Sequence, residues 1–154
     1  MTPMDSQGID ETDRIILQAL LRDARTPVRS LASQARVSVG TVVNRIRHLE
    51  DSGIIKRYTI SVDYEALGYD IVVITTLKIA KGKFPEVANE LGKEKNIITI
   101  YDVTGEYDAV VISVFPSRSE LDAFLKRVQS HSLIEKTHTV LVLKTTKESE
   151  ITLL

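Results

Sequence analysis

Residues 31–55 read LASQARVSVGTVVNRIRHLEDSGII, and their spacing decides how the first third of the chain folds. Leu31, Ala32 and Ala35 continue an apolar stripe that begins at Val28, at positions i, i+3, i+4 and i+7 of a helix. Thr26-Pro27 supplies its start, a hydroxyl cap followed by proline at the first helical position. Arg36-Val37 is a short break, and Ser38 can cap the next helix. Val39, Val42, Val43, Ile46 and Leu49 form the expected inward face of that helix, which Ser52-Gly53 ends. Two short helices joined by a tight turn, the second with a polar outer face, make the pattern of a helix-turn-helix.

Working toward the N-terminus, Asp10 opens an earlier helix, with Glu11 and Asp13 in the first turn where the helix dipole favours acid. Ile16, Leu17, Leu20 and Leu21 give its apolar side. Toward the C-terminus, Ile54–Val62 is rich in β-branched residues and reads as a hinge strand, and Asp63–Tyr69 as a linker. From residue 70 the alternation changes. Strands are expected over Ile71–Ile79, Ile97–Val103, Asp108–Phe115 and Ile134–Leu143. A helix with Phe84, Val87, Ala88 and Leu91 lies between the first two strands. Another, opened by Ser117-x-x-Glu120, lies between the last two. The order is βαββαβ, the ferredoxin-like split motif. The fold class is therefore α+β. A helix-turn-helix, winged-helix-like domain (1–53) is joined by a hinge strand and linker (54–69) to a ferredoxin-like domain (70–154). Both helices of that motif cover one sheet face. Ile98, Ile100 and Ile112 mark the other as apolar, a face that usually packs on a second subunit.

The chain of 154 residues has a net charge of −1, but the sign is unevenly spread. Between Arg22 and Ile60 there are eight basic against three acidic residues, a net of +5, as expected of a face for nucleic acid. Opposite the apolar side of the third helix lie Thr41, Asn44, Arg45 and His48. Arginine suits guanine O6/N7 and asparagine suits adenine N6/N7, and threonine reaches a base or a phosphate. Arg47 lies toward the edge, suited to a phosphate, while Ser38 and Gly40 stand at the helix N-terminus, where backbone can approach a phosphate closely. These residues form the expected interface with double-stranded DNA.

Other function classes find little support. There is no cysteine, so disulfide and thiolate chemistry are excluded. The three histidines have no metal-ligand spacing, and no metalloprotease, nucleophile-elbow or phosphate-loop motif occurs. No enzyme activity, metal or cofactor is expected. The polar N-terminus and the lack of a long apolar run predict a cytoplasmic protein without membrane association. An RNA-binding regulator is the alternative, although the third strand offers only Phe115 for base stacking. A ligand-independent DNA-binding protein with a purely structural oligomerisation domain is another.

The run from Leu31-Ala32 to Ser38, then Val42-x-x-Arg45-Ile46-x-x-Leu49-Glu50-x-x-Gly53-Ile54-Ile55, resembles the leucine- and asparagine-responsive regulators, the Lrp/AsnC family. Asp13 with Ile15-Ile16-Leu17, and Thr104-Gly105-Glu106-Tyr107-Asp108, extend the resemblance over nearly the whole chain. Val39-Gly40 departs from it, since many relatives have a proline early in the recognition helix. The resemblance implies a homodimer or larger homo-oligomer with an amino acid, or a related small-molecule effector, bound between subunits. Carried over, the effector site comprises Gly105, Tyr107, Asp108, Thr137 and Thr139. Gly105 would offer a backbone N–H to a carboxylate and Asp108 would pair with an ammonium group. Thr137 and Thr139 flank His138 and so point to one face of their strand, where they could supply hydroxyls.

Overall fold

A computed structural model describes residues 8–147. It divides into two compact units that meet in sequence between Ser61 and Val62. The first begins with α1 (Glu11–Arg22). Asp10 caps it: its Oδ1 accepts from the Asp13 N–H at 2.9 Å, and Asp13 Oδ2 accepts from the Asp10 N–H at 3.1 Å. Two otherwise orphaned amide donors are thereby satisfied reciprocally. In α2 (Val28–Ala35) the start differs from the expectation by one residue. Pro27 has ψ 142° and is the N-cap itself, with no side-chain cap bond. The Thr26 hydroxyl instead donates to the Asp23 carbonyl at 2.7 Å, finishing the turn behind α1. The break after α2 is Arg36, in the left-handed conformation at φ 54°. Ser38 then caps α3 (Val39–Asp51), its Oγ accepting from the Thr41 N–H at 3.0 Å.

Ile16, Leu17, Leu31, Ala32, Val42 and Leu49 form the core of this unit, with Ile46, Ile54 and Ile55 packed against it. Val39 and Val43, expected to face inward, are 45% and 40% exposed. The helix turns 100° per residue, and the true centre of burial, defined by Val42 and Leu49, leaves both valines on its flank. The hinge strand over 54–62 is not formed. Ile54 and Ile55 pack under the helices, Ile55 N–H donates to the Leu49 carbonyl at 2.9 Å, and Ile60 is 78% exposed. β-Branched residues favour a strand, but a strand also needs a hydrogen-bonded neighbour; this segment pairs with none among the described residues.

The second unit carries β1 (Ile71–Ile79), α4 (Phe84–Leu91), β2 (Ile97–Asp102), β3 (Ala109–Phe115), α5 (Arg118–Ser130) and β4 (Ile134–Leu141). Its antiparallel sheet has the order β2-β3-β1-β4. Val73, Leu77, Ile79, Val111 and Phe115 on one sheet face pack with Val87 and Leu91 of α4 and with Phe124 and Val128 of α5. Both helices therefore cover the same side. Phe115 meets Phe124 at a centroid distance of 5.1 Å. It is buried in this core and is not offered to a nucleic-acid base. On the opposite side Val72, Ile74, Val110 and Ile112 are half-buried, while Tyr101 and Val140 are exposed. Ile100 does not belong to that open face, because it pairs with Val111 and packs against the core. A register shift between Ile97 and Thr99 moves Ile98 out to 46% exposure.

Candidate DNA interface and effector turn

The outer face of α3 differs from the simple spacing reading at Val39, Thr41, Val43 and Arg45. Gly40, Asn44, Arg47 and His48 are exposed together with Val39 and Val43. Arg45 is not free. Its Nη2 lies 2.6 Å from Asp10 Oδ2 and its Nη1 lies 3.2 Å from Asp13 Oδ2. The guanidinium thus ties the reading helix to the capped start of α1. Asp13 is only 1% exposed, so Arg45 supplies the countercharge that its burial demands. The Asp10 carboxyl is held below its ordinary value, first by the Asp13 N–H and further by the Arg45 charge, with desolvation opposing. Thr41 is half-buried, its hydroxyl 2.9 Å from Ser38 Oγ.

The fold does not require glycine at position 40. A Cβ built there would meet Ser38 Oγ at 3.7 Å, an ordinary contact. Glycine inside a helix costs roughly 0.5–1 kcal/mol relative to alanine, so its use here fits an approach of the backbone to something outside the chain. At the far end of α3, the Tyr58 hydroxyl donates to Glu50 at 2.8 Å. Partial burial, and then the bonded Glu50 carboxylate, push the Tyr58 phenol up to about 12.

The effector-turn residues lie at one end of the sheet. Gly105 has φ 124°, a conformation that disfavours side chains. Asp108 is already engaged. Its Oδ2 accepts the Ile79 N–H at 2.7 Å, its Oδ1 lies 3.0 Å from Lys78 Nζ, and its own N–H donates to the Leu77 carbonyl at 2.9 Å. The Ile79 N–H, and then Lys78, hold its carboxyl below the ordinary value. Lys136 Nζ lies 3.0 Å from Glu106 Oε1 and 5.3 Å from the Tyr107 ring centroid, joining the turn to the start of β4. Thr137 and Thr139 pair with Leu77 and Thr75 and so belong to the helix-covered side of the sheet. The Thr139 hydroxyl is 3.0 Å from that of the buried Thr75. Within one chain, Gly105, Tyr107, Asp108 and Thr137 share a sheet end. Thr139 sits further along β4.

Two family models match the chain: a winged helix-turn-helix DNA-binding model over residues 9–56, and the Lrp/AsnC ligand binding domain over residues 72–152. The chain belongs to the Lrp/AsnC family. An uncharacterised HTH-type transcriptional regulator of Pyrococcus horikoshii is 44% identical over 91% of this chain and 95% of its own length. The HTH-type transcriptional regulator FL11 of the same organism is 39% identical over 92% and 93%. Escherichia coli AsnC superposes with a TM-score of 0.87 at 29% identity, covering 94% of this chain and 98% of its own. A Neisseria meningitidis transcriptional regulator, solved as a complex with L-Met, has the same fold, with a TM-score of 0.86 at 24% identity over 92% and 94% of the two chains. As an Lrp/AsnC protein the chain is a DNA-binding transcription regulator with a ligand-binding domain. No helix among the described residues is long and apolar enough to cross a membrane.

Two features of this Lrp/AsnC chain escaped the sequence reading. Asp13 was legible as acid at a helix start, but it also lies three and four residues before Ile16 and Leu17, on the stripe that faces inward. A carboxylate there needs a cationic partner, and Arg45 is 32 residues away. The exposure of Val39 and Val43 left a fainter signal, two apolar residues more than the helix needed for its core.

Proposed function

We propose that this regulator recognises a specific duplex DNA sequence through the exposed side of α3, and that its C-terminal domain, assembled as a homodimer or larger homo-oligomer, responds to an amino acid or related metabolite. The observation that carries the DNA reading is the row Gly40, Asn44, Arg47 and His48, which projects from the core-bound α3 with no acidic residue among them. Asn44 and Arg47 supply base- and phosphate-directed donors, while Ser38 and Gly40 bring the helix N-terminus and its backbone close. Arg45 acts here as the residue that sets the angle of α3. Assembly is supported by the apolar open sheet face and by the unpaired segment 54–62, both of which a second copy can cover. Two reading helices then bind a duplex with half-sites roughly one helical turn apart, about 34 Å. For the effector, Gly105 would offer a backbone donor to a carboxylate, and Asp108 would meet an ammonium group by exchanging Lys78 for it while keeping the Ile79 N–H. Tyr107 and Thr137 share that sheet end, and Thr139 completes the set from further along β4. The complex of the Neisseria meningitidis regulator with L-Met makes amino acids the first ligands to test. A DNA-binding role favours a cytoplasmic location.

The test of the DNA reading is a titration of the full chain against a duplex enriched from a random library, repeated over a range of salt. Binding should fall steeply with salt, and Arg47→Ala should reduce the log–log slope by about 1 if Arg47 contacts a phosphate. Gly40→Ala should weaken binding at least tenfold while leaving Tm unchanged or raised. Equal affinity for single-stranded RNA, or full binding by Gly40→Ala, would remove the assignment. Thermal shift with the common amino acids tests the effector, since a ligand of the native state raises Tm.

A further inference from the structure

We infer that Val43 is a specificity residue that reads the methyl group of a thymine in the major groove. The inference rests on the DNA reading above and names one of its base contacts. Val43 is 40% exposed, as Val39 at the helix start is at 45%, on a helix whose other long apolar residues, Val42, Ile46 and Leu49, are engaged in the core. Of the two, Val43 is the one flanked by Asn44 and Arg47. It is absent from the packing of that core, and a β-branched side chain brings no helix propensity to justify its place. Its neighbours one turn away identify the surface it meets. Gly40 lies one turn before it and Arg47 one turn after, with Asn44 adjacent, and all three are exposed. A second protein surface would have to satisfy Asn44, Arg47 and His48 in the same patch. The edge of a DNA base pair does so, and thymine C5-methyl is the apolar feature that the major groove presents.

Gly40 has no side chain to hold the groove away, and the nearest atom to a Cβ placed there is Ser38 Oγ at 3.7 Å. Valine against any other base edge would cover a polar N4, N6, O6 or N7 group without bonding to it, so the same contact rejects the wrong base. Arg45, the side chain that spacing alone assigns to a guanine, is held by Asp10 and Asp13 at 2.6 and 3.2 Å. The discriminating contacts therefore shift toward Val43, Asn44 and Arg47.

The experiment uses the full chain and the enriched duplex, with each thymine replaced singly by deoxyuridine, which removes only the methyl group. At one position per half-site the affinity should drop about five- to tenfold. In Val43→Ala that discrimination should fall to near unity, with binding to the deoxyuridine duplex the same as for the original chain. Val43→Ala favours helix, so misfolding does not confuse the result. If every thymine can be replaced without loss, or if Val43→Ala keeps the same preference, the inference is overturned while DNA binding stands. Failure to enrich any duplex overturns the DNA reading itself, and this contact with it.

Discussion

Asp13 in the helical unit and Asp108 in the sheet unit do the same job in different surroundings. Each accepts a backbone N–H, from Asp10 and from Ile79, and each meets a cation, Arg45 and Lys78. Asp13 is 1% exposed, and its Oδ1 has no hydrogen-bond partner. The Asp108 side chain is 34% exposed, so water can replace whatever the protein withdraws. With similar contacts and different exposure, the pair separates the two factors, and burial is expected to decide what each charged contact is worth. It also shows that a charged residue spaced for a ligand can already hold partners inside the fold.

Arg45→Ala breaks the buried side of this comparison and should have the largest effect. It leaves the buried Asp13 without its countercharge, and because the Arg45 side chain is itself 37% exposed the loss should be about 1–3 kcal/mol, between an exposed and a fully buried pair. Urea unfolding measures it, and Arg45→Lys should recover part of the loss. A change below about 0.5 kcal/mol, the scale of an exposed pair, would erase the distinction drawn here. Asp108→Ala tests the exposed side. It frees the Ile79 N–H and Lys78, and Tm should fall by a few degrees, well short of the Arg45→Ala effect. Asp108→Asn keeps an acceptor for the Ile79 N–H and should lose less still.

Acid sharpens the contrast with the smallest effect. The Asp108 and Asp10 carboxyls titrate below their ordinary value of 3.8 in the folded protein. The unfolded chain then binds protons first as the pH falls. The stabilisation from these groups is complete above that value and is lost as the pH drops through their lower folded values. Thermal scans should therefore show a full and unchanging contribution from them between about pH 5 and 7 and a decline below about 3.8. Asp108→Asn should make that decline shallower. An equal decline in the variant would show that other carboxylates govern it.

What the sequence disclosed is what local chemistry controls. Asp10, Ser38 and Ser117 each cap the helix they were expected to open, because a cap is a contact between residues three apart. The βαββαβ order follows from alternation within each strand. The misreadings were nonlocal. Segment 54–62 has strand-forming residues, but no rule within it says whether a neighbour will be present. Arg45 looked free because its partners lie on another helix. Val39 and Val43 looked buried because an apolar side chain is ordinarily spent on the core. Thr139 pointed where the alternation indicated, yet its hydroxyl is bonded to Thr75 from a strand 64 residues away.

The order of strands has a consequence for the growing chain. β1 takes an interior place in the sheet, yet its β4 neighbour is the last of these four strands to be synthesised, with Thr75 waiting for Thr139 and Ile79 for Ile134. Until those residues leave the ribosome, one edge of Ile-Val-Val-Ile-Thr-Thr-Leu-Lys-Ile is an unsatisfied ladder of β-branched residues, the type of segment that pairs with other chains. The helices of the first unit close over contacts near in sequence and have no such delay. Premature termination before Ile134 would thus release a folded helix-turn-helix attached to a sheet with one sticky side, which makes the final strand a safeguard against aggregation as well as a part of the sheet.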